Sequence, residues 1–138
     1  MLLLMSERVH LHHVDPWVPD LEVAERSWGW LLCELGYELY QSWAHGRSWK
    51  LESRYIVIEQ SPDQRSGPHD RRAAGLNHLA FHAGTPTDVD RIVVEGLRHG
   101  WTLLFADRHP HAGGPDHYAA YLENTEGFEV ELCAASPG

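Results

Sequence analysis

The amino-acid sequence predicts an α+β fold in which two tandem βαβββ modules form a curved mixed sheet. The prediction rests on a repeated pattern, in which a strand carrying an inward-pointing histidine is followed by a helix start at a fixed distance. Asp20 lies seven residues after His13, and Thr85 lies seven residues after His78. Both predicted helices then end at a glycine after a similar number of residues. The chain therefore contains one motif written twice.

The length of the chain bounds the number of domains. A chain of 138 residues with 43% hydrophobic side chains is long enough for one domain with a core and too short for two ordinary domains. We expect a single domain over residues 1–138. Its predicted parts are module one at about residues 9–60, a polar linker at 61–74 and module two at about 75–134.

Composition and charge exclude several classes of partner. The formal charge of −9 disfavours nucleic acid and anionic membranes, which require a basic face. No apolar run approaches the ~20 residues of a membrane span, and the apolar residues 1–5 lack the charged start of a secretory leader, so we expect a tail there. Cys33 and Cys133 are too few and too far apart for a disulfide framework, which favours a cytoplasmic location.

Module one has the sequence pattern of a strand, a helix and three further strands. The first strand is expected at about residues 9–17, and Asp20 is a suitable N-cap for an amphipathic helix that ends at Gly36. Period-two alternation then predicts strands at about residues 37–44, 48–53 and 55–60.

Module two repeats this order. The stretch GLNHLAFH, residues 75–82, alternates as a half-buried strand, and Thr85 begins a helix that has proline at its first position and ends at Gly100. Three further strands are predicted at about residues 101–105, 117–123 and 128–133. The loop at residues 106–116, rich in His, Gly and Pro, is interpreted either as a lid or as a surface connection.

The repeat places candidate metal ligands at matched positions. His13 and His78 lie on the first strand of each module, and Glu59 and Glu131 lie on the last strand of each. Two imidazoles and two carboxylates that meet on a curved sheet form a site for one divalent first-row metal ion, which we expect to be Zn, Ni, Co, Mn or Fe.

Two alternatives to this ligand set remain open. Each residue taken singly can also be a solvent-facing strand residue. The register of the strands is a second uncertainty, because His12 neighbours His13 and Glu129 shares a face with Glu131. Either ligand is therefore open to reassignment by one or two positions.

Four stretches of the chain carry a resemblance to a known family. They are HHVDPWVPDLEVAERSWGWLLCELGY (residues 12–37), YIVIE (55–59), GLNHLAFH (75–82) and YLENTEGFEVEL (121–132). Together they resemble the vicinal oxygen chelate superfamily, which includes glyoxalase I, bleomycin- and fosfomycin-resistance proteins and extradiol dioxygenases. The resemblance extends over about residues 10–134.

The resemblance implies a ligand set and a mechanism. By position, His13, Glu59, His78 and Glu131 match the four ligands of glyoxalase I, whereas extradiol enzymes use two histidines and one glutamate. A substrate with two neighbouring oxygens is expected to chelate the metal, and Glu131 or Glu59 is expected to move a proton between adjacent carbons as the catalytic residue.

The substrate contacts and the function are expectations of the same kind. His82, His117, Tyr118 and Tyr121 are candidate substrate-binding residues because they lie near the predicted ligands in sequence or on the same strand face. The expected function is that of a metal-dependent lyase or isomerase of glyoxalase type, assembled as a homodimer. The alternatives are an Fe(II) extradiol-type dioxygenase and a non-enzymatic drug-binding resistance protein.

Overall fold

The computed structural model describes residues 10–136 of the chain. The expected tail at residues 1–5 and the expected first residue of the first strand, Val9, lie outside the described residues. Between residues 10 and 136, no helix has the length and apolar character needed to cross a membrane.

The order of elements confirms the predicted α+β class and its two βαβββ modules. Module one contains β1 (His13–Val14), helix α1 (residues 21–34), β2 (Glu38–Trp43), β3 (Gly46–Leu51) and β4 (Arg54–Glu59). Module two contains β5 (His78–His82), α2 (Pro86–Gly96), β6 (Trp101–Leu104), β7 (Ala119–Asn124) and β8 (Glu129–Cys133).

Both helices begin at the predicted caps. The Asp20 side chain accepts a hydrogen bond from the backbone N–H of Val23 at 3.2 Å, and Thr85 and Asp88 form a reciprocal capping box at the start of α2. Helix α2 continues into a short 3-10 turn that ends at Gly100, whose φ of 86° suits a residue without Cβ.

The eight strands form two four-stranded sheets, one in each module, instead of one continuous hydrogen-bonded sheet. The strand orders are β1-β4-β3-β2 and β5-β8-β7-β6, so that the first strand of each module pairs in parallel with the last. Strand β1 is shorter than predicted because Pro16 cannot donate a backbone hydrogen bond. Beyond it the chain returns to β4 only through a bridge between Trp17 and Glu59.

One hydrophobic cluster contains residues of both modules. Trp28 of α1 is fully buried and packs edge-on against Trp101, with ring centroids 5.3 Å apart, and against Phe128 at 6.0 Å. The indole N–H of Trp101 donates to the backbone oxygen of Ser27 at 2.9 Å. The first helix and the second sheet are thus joined by both packing and a buried hydrogen bond.

The second sheet separates an apolar face from a polar one. Leu79, Val130 and Leu122 lie on the face that packs against the helices. His78 and Glu131 lie on the opposite face, because successive side chains of a strand alternate between faces. The predicted alternation in residues 75–82 is correct, but the prediction that the histidine points inward is wrong, because His78 lies on the face away from the core.

Replacing Trp101 by leucine removes the aromatic packing on Trp28 and one of the two donors to the Ser27 carbonyl, the other being the backbone N–H of Trp30. We expect the free energy of unfolding to fall by about 2–4 kcal/mol, measured by urea denaturation. The matched control is Trp43→Leu, because Trp43 is 37% exposed, and it is expected to cost less than about 1 kcal/mol. Equal losses in the two variants would contradict a core shared through Trp101.

Candidate functional site

The polar face of the second sheet is defined by the parallel pairing of β5 with β8. The Cα partners are His78 with Glu129, Ala80 with Glu131 and His82 with Cys133. On the other side of β8, Tyr121 of β7 is paired with Glu131. Glu131 is therefore at the centre of this face, with strands on both sides.

The Glu131 side chain is 11% exposed, and three side chains contact its carboxylate. Oε1 lies 3.1 Å from Nε2 of His78, while Oε2 contacts Nε2 of His117 and lies 3.2 Å from Sγ of Cys133. Burial raises the pKa of this carboxyl, but the hydrogen bonds from His117, Cys133 and His78 outweigh burial and hold the pKa below its usual value.

His78 is oriented by its neighbour in sequence. The side-chain oxygen of Asn77 lies 2.7 Å from Nδ1 of His78, and because an amide oxygen only accepts, Nδ1 is the donor. A neutral imidazole then presents only its Nε2 lone pair to Glu131. The contact with Oε1 is then made either through a proton shared by Nε2 and the carboxylate or through a cation held between the two atoms.

The second glutamate on β8 has a different partner. Arg71 of the linker lies 3.0 Å from Oε1 of Glu129, whose side chain is 4% exposed, and 3.6 Å from Glu123. The permanent charge of the guanidinium therefore compensates Glu129. This pairing leaves Glu131 as the carboxylate of β8 whose partners are titratable groups.

The loop before β7 approaches the site closely at Gly113. A Cβ added at this glycine would lie 2.5 Å from the hydroxyl of Tyr121 and 2.8 Å from the His117 ring. Burial, followed by the negative charge of Glu131, raises the pKa of Tyr121. The loop thus covers one side of the carboxylate, which is compatible with the predicted lid.

One group of three donors converges closely enough to share an ion in residues 10–136. Nε2 of His117, a carboxylate oxygen of Glu131 and Sγ of Cys133 lie within 4.8 Å of one another. Sγ and Nε2 are separated by 3.8 Å. Nitrogen, oxygen and sulfur donors of this kind suit divalent transition metals.

The structure places the predicted ligand His13 on the first sheet. Its ring is exposed, stacks on Tyr55 with centroids 4.7 Å apart, and lies 2.8 Å from the ring of His12 through their Nδ1 atoms. These residues line a cavity of about 200 Å³ that is also bounded by Ala80 of β5. Leu79 and Phe81 of β5 also line this cavity, whereas His78, Glu131 and His117 do not. Within residues 10–136 the structure does not bring His13 into the group of donors around Glu131.

The proposed equivalence of Glu59 and Glu131 is wrong. In the first sheet His13 is paired with Tyr55, as His78 is paired with Glu129 in the second. Two residues after these partners, Val57 of β4 occupies the position that Glu131 has in β8. Four residues after them, Glu59 occupies the position of Cys133. The sequence alone did not reveal this shift of two residues, because each carboxylate points to the same strand face as the correct position.

Glu59 also has its own surroundings. Glu59 lies four residues along β4 from Tyr55, the pairing partner of His13. Four residues along a strand correspond to about 13 Å. Burial, followed by a hydrogen bond with Asp15, raises the pKa of the Glu59 carboxyl. The structure does not bring Glu59 together with His78 and Glu131.

The four residues that were predicted to contact the substrate do not all lie together in the structure. His117 and Tyr121 border Glu131, and His82 is exposed at the end of β5, opposite Cys133. Tyr118 does not border Glu131, because its hydroxyl donates to Asp90 of α2 at 2.6 Å, and its role as a substrate contact stays a prediction.

Three contributors to the site were not identified from the sequence. Cys133 follows Glu131 by two residues, so the period of the strand is a signal that places it on the same face. Asn77 directly precedes His78, which is a weak signal for a side chain that orients the ring. The role of Arg71 carries no local signal, because its partners lie 52 and 58 residues away along the chain.

The sequence of this chain is similar to a known superfamily and to a bacterial protein. The profile of the Glyoxalase/Bleomycin resistance protein/Dioxygenase superfamily matches residues 12–121. The uncharacterized protein YqjT of Bacillus subtilis (strain 168) is 45% identical over 127 residues, which cover 91% of this chain and 99% of YqjT.

Solved structures have the same fold. A candidate glyoxalase from Bacillus halodurans is 42% identical, with a TM-score of 0.89 over 95% of this chain and 99% of that one. The fosfomycin resistance protein FosX from Listeria monocytogenes, solved with Mn(II) and sulfate, is 17% identical with a TM-score of 0.63 and coverage of 94% and 92%. At that identity FosX supports the fold alone.

Replacing Arg71 by methionine leaves the buried Glu129 carboxylate without its cation. We expect the free energy of unfolding to fall by about 2–4 kcal/mol at neutral pH, measured by chemical denaturation. The matched control is Arg72→Met, because Arg72 is exposed in the same linker, and it should cost about 0.5 kcal/mol or less. Adding Glu129→Gln to the Arg71 variant should restore part of the loss; no recovery would contradict the ion pair.

Proposed function

Because the chain belongs to the Glyoxalase/Bleomycin resistance protein/Dioxygenase superfamily, we propose that it is a divalent-metal-dependent enzyme. The reaction we propose is that of a glyoxalase-type lyase or isomerase acting on a small substrate with two neighbouring oxygens. The observation that carries the proposal is the contact of His78 with Glu131 at 3.1 Å. With Nδ1 donating to Asn77, the facing Nε2 and carboxylate oxygen form a donor pair suited to a cation.

The donor set fits a divalent first-row metal. His78 and Glu131 are the ligands we propose on the second sheet, and His13 on β1 is the ligand we propose from the first. When bound, the ion supplies a Lewis acid that polarises substrate oxygens and stabilises the negative charge that develops on them.

The residues around Glu131 provide groups that hold protons. Glu131 is the proposed catalytic base, since its carboxylate is ionised and buried. His117 faces its Oε2 through Nε2, and Tyr121 keeps its hydroxyl protonated beside the same carboxylate. These two residues are proposed to orient the substrate and exchange protons with it, while the loop at Gly113 excludes water.

The cavity beside His13 has a size that favours a small substrate. Its volume of about 200 Å³ is below the range of roughly 300–1,000 Å³ that is typical of drug-sized ligands. Arg54 and Tyr55 line it beside His13. A cationic and a phenolic group there suit an anionic or hydroxylated substrate of few atoms.

The exposed surface of β2 supports the predicted homodimer. Leu39, Tyr40 and Trp43 are 57%, 49% and 37% exposed on this edge strand, and contiguous exposed apolar side chains mark interaction surfaces. We therefore keep the homodimer as part of the proposal, with the mass in solution as its test. The cytoplasmic location stays a prediction.

A ring-cleaving Fe(II) dioxygenase is the second candidate function. It is favoured by the register of β4, where Val57 stands at the position equivalent to Glu131. Without Glu59, the candidate ligands are two histidines and one glutamate, the set that the extradiol enzymes use. His117 and Tyr121 would then be the acid and base next to the ring.

Replacing Glu131 by glutamine should weaken metal binding, whereas replacing Glu59 should not. We expect about one divalent ion per chain in the wild type and in Glu59→Gln, and an affinity at least ~10-fold lower in Glu131→Gln, because a ligand carboxylate is lost. Elemental analysis and calorimetric titration of chelator-treated protein measure both quantities.

The other outcomes of this titration also decide between functions. Equal losses in the two variants would restore the four-ligand set of glyoxalase I. A wild-type protein that binds no metal even after reconstitution would contradict both enzyme functions and leave the drug-binding protein.

The two candidate reactions differ in their use of oxygen. We expect the metal-loaded protein to exchange substrate carbon-bound hydrogen for solvent deuterium with 2-oxoaldehyde thiol adducts or 2-hydroxyketones, because a buried carboxylate acts as the base. NMR measures this exchange, and Glu131→Gln is the control. Oxygen uptake with catechols by the Fe(II)-loaded protein, without such exchange, would instead support the dioxygenase.

A further inference from the structure

We infer that the metal ion of this site is held through a cysteine thiolate, with Sγ of Cys133, Nε2 of His117 and Glu131 as donors from module two. This inference rests on the proposed metal dependence alone. It places the ion at Oε2 of Glu131 instead of between Oε1 and His78, makes His117 a ligand in place of its proposed proton exchange, and adds a sulfur donor to the nitrogen and oxygen donors predicted from the sequence. It changes which metals the site should prefer.

The separations of the three donors suit one ion. Sγ lies 3.8 Å from Nε2 of His117 and 3.2 Å from Oε2 of Glu131. Sulfur and nitrogen or oxygen donors around a tetrahedral zinc ion lie about 3.3–3.6 Å apart, given the usual metal–ligand lengths. The contact of His117 with Glu131 is a hydrogen bond and would open by about 1 Å to admit the ion.

Both new donors are held in place by the backbone. Cys133 is the last residue of β8, paired with Ala119 of β7. The amide of His117 donates to the carbonyl of Gly114 at 3.2 Å, and the ring packs against Gly113. The donors therefore belong to a strand end and a turn, so that little rearrangement precedes binding.

Among the contacts on β8, the position beside Oε2 of Glu131 has no fixed positive charge. Arg71 compensates Glu129, whereas the partners of Glu131 are His78, His117 and Cys133. A divalent ion at Oε2 would supply the positive charge that no fixed side chain supplies among these contacts.

The chemistry of binding is an exchange of a proton for the ion. In the metal-free protein the thiol donates its proton to Oε2 of Glu131 at a Sγ–O distance of 3.2 Å. On binding, the S–H bond breaks, its proton passes to solvent and a metal–sulfur bond forms, without any change of oxidation state. Thiolate ligands favour zinc and cobalt over manganese.

The contrary reading is that the thiol and the two imidazoles only hydrogen bond to a buried carboxylate. In that case a metal, if bound, would have no bond to sulfur. Cobalt(II) distinguishes the two readings, because a cobalt–thiolate bond absorbs in the near ultraviolet and cobalt bound only by nitrogen and oxygen does not.

The experiment titrates the chelator-treated, reduced full chain with Co(II), and records absorbance and bound metal together. We compare the wild type with Cys133→Ser and with Cys33→Ser, the matched control, because Cys33 is exposed on α1 and the chain has only these two cysteines. We expect the near-ultraviolet band in the wild type and in Cys33→Ser and its loss in Cys133→Ser. The Cys133 variant should also lose about tenfold or more in the ratio of Zn(II) to Mn(II) affinity.

The outcomes separate this inference from the proposed function. Cobalt bound at one ion per chain without the band, or with a band that survives in Cys133→Ser, overturns the thiolate ligand and leaves the metal-dependent enzyme standing. Absence of bound cobalt, zinc and manganese in the wild type overturns both. Manganese bound equally by the wild type and Cys133→Ser shows that the variant retains a folded site, and the loss of the cobalt band is then due to the missing sulfur.

Discussion

The candidate site depends on the parallel register between β5 and β8. Leu79 and Val130 are paired on the face that packs against the helices, and Ala80 and Glu131 are paired on the other face. A slip of one residue would exchange the two faces and expose the apolar side chains. The burial of the core therefore excludes a slip of one residue, and the observed register decides which polar side chains meet.

The two carboxylates at the centre of this face are stabilised in different ways. Glu129 has a fixed cation in Arg71, which neutralises it in a permanent ion pair. Glu131 relies on neutral or titratable partners that hold its pKa down although burial opposes ionisation. Such a carboxylate is compensated fully only when protons or a metal ion accompany it. This difference is the reason why we propose Glu131, and not Glu129, as the ligand and the base.

The two modules share a backbone plan but have diverged in the side chains of the site. Tyr55, Val57 and Glu59 stand where Glu129, Glu131 and Cys133 stand in module two. Module one contributes His13, a tyrosine and an apolar residue to its equivalent face, whereas module two contributes nearly all of the polar cluster. The site that we propose is therefore asymmetric, with most of its donors on the second sheet and His13 on the first.

The sequence by itself determined the order of elements, the helix starts at Asp20 and Thr85, and the strand face of His78 and Glu131, because caps and side-chain periodicity act over a few residues. It did not determine that Val57 replaces a second glutamate, because two residues on the same face differ only in register. Nor did it determine the roles of Arg71, His117 and Cys133 around β8. Those contacts join distant parts of the chain, and only packing of the sheets and the loop brought them together.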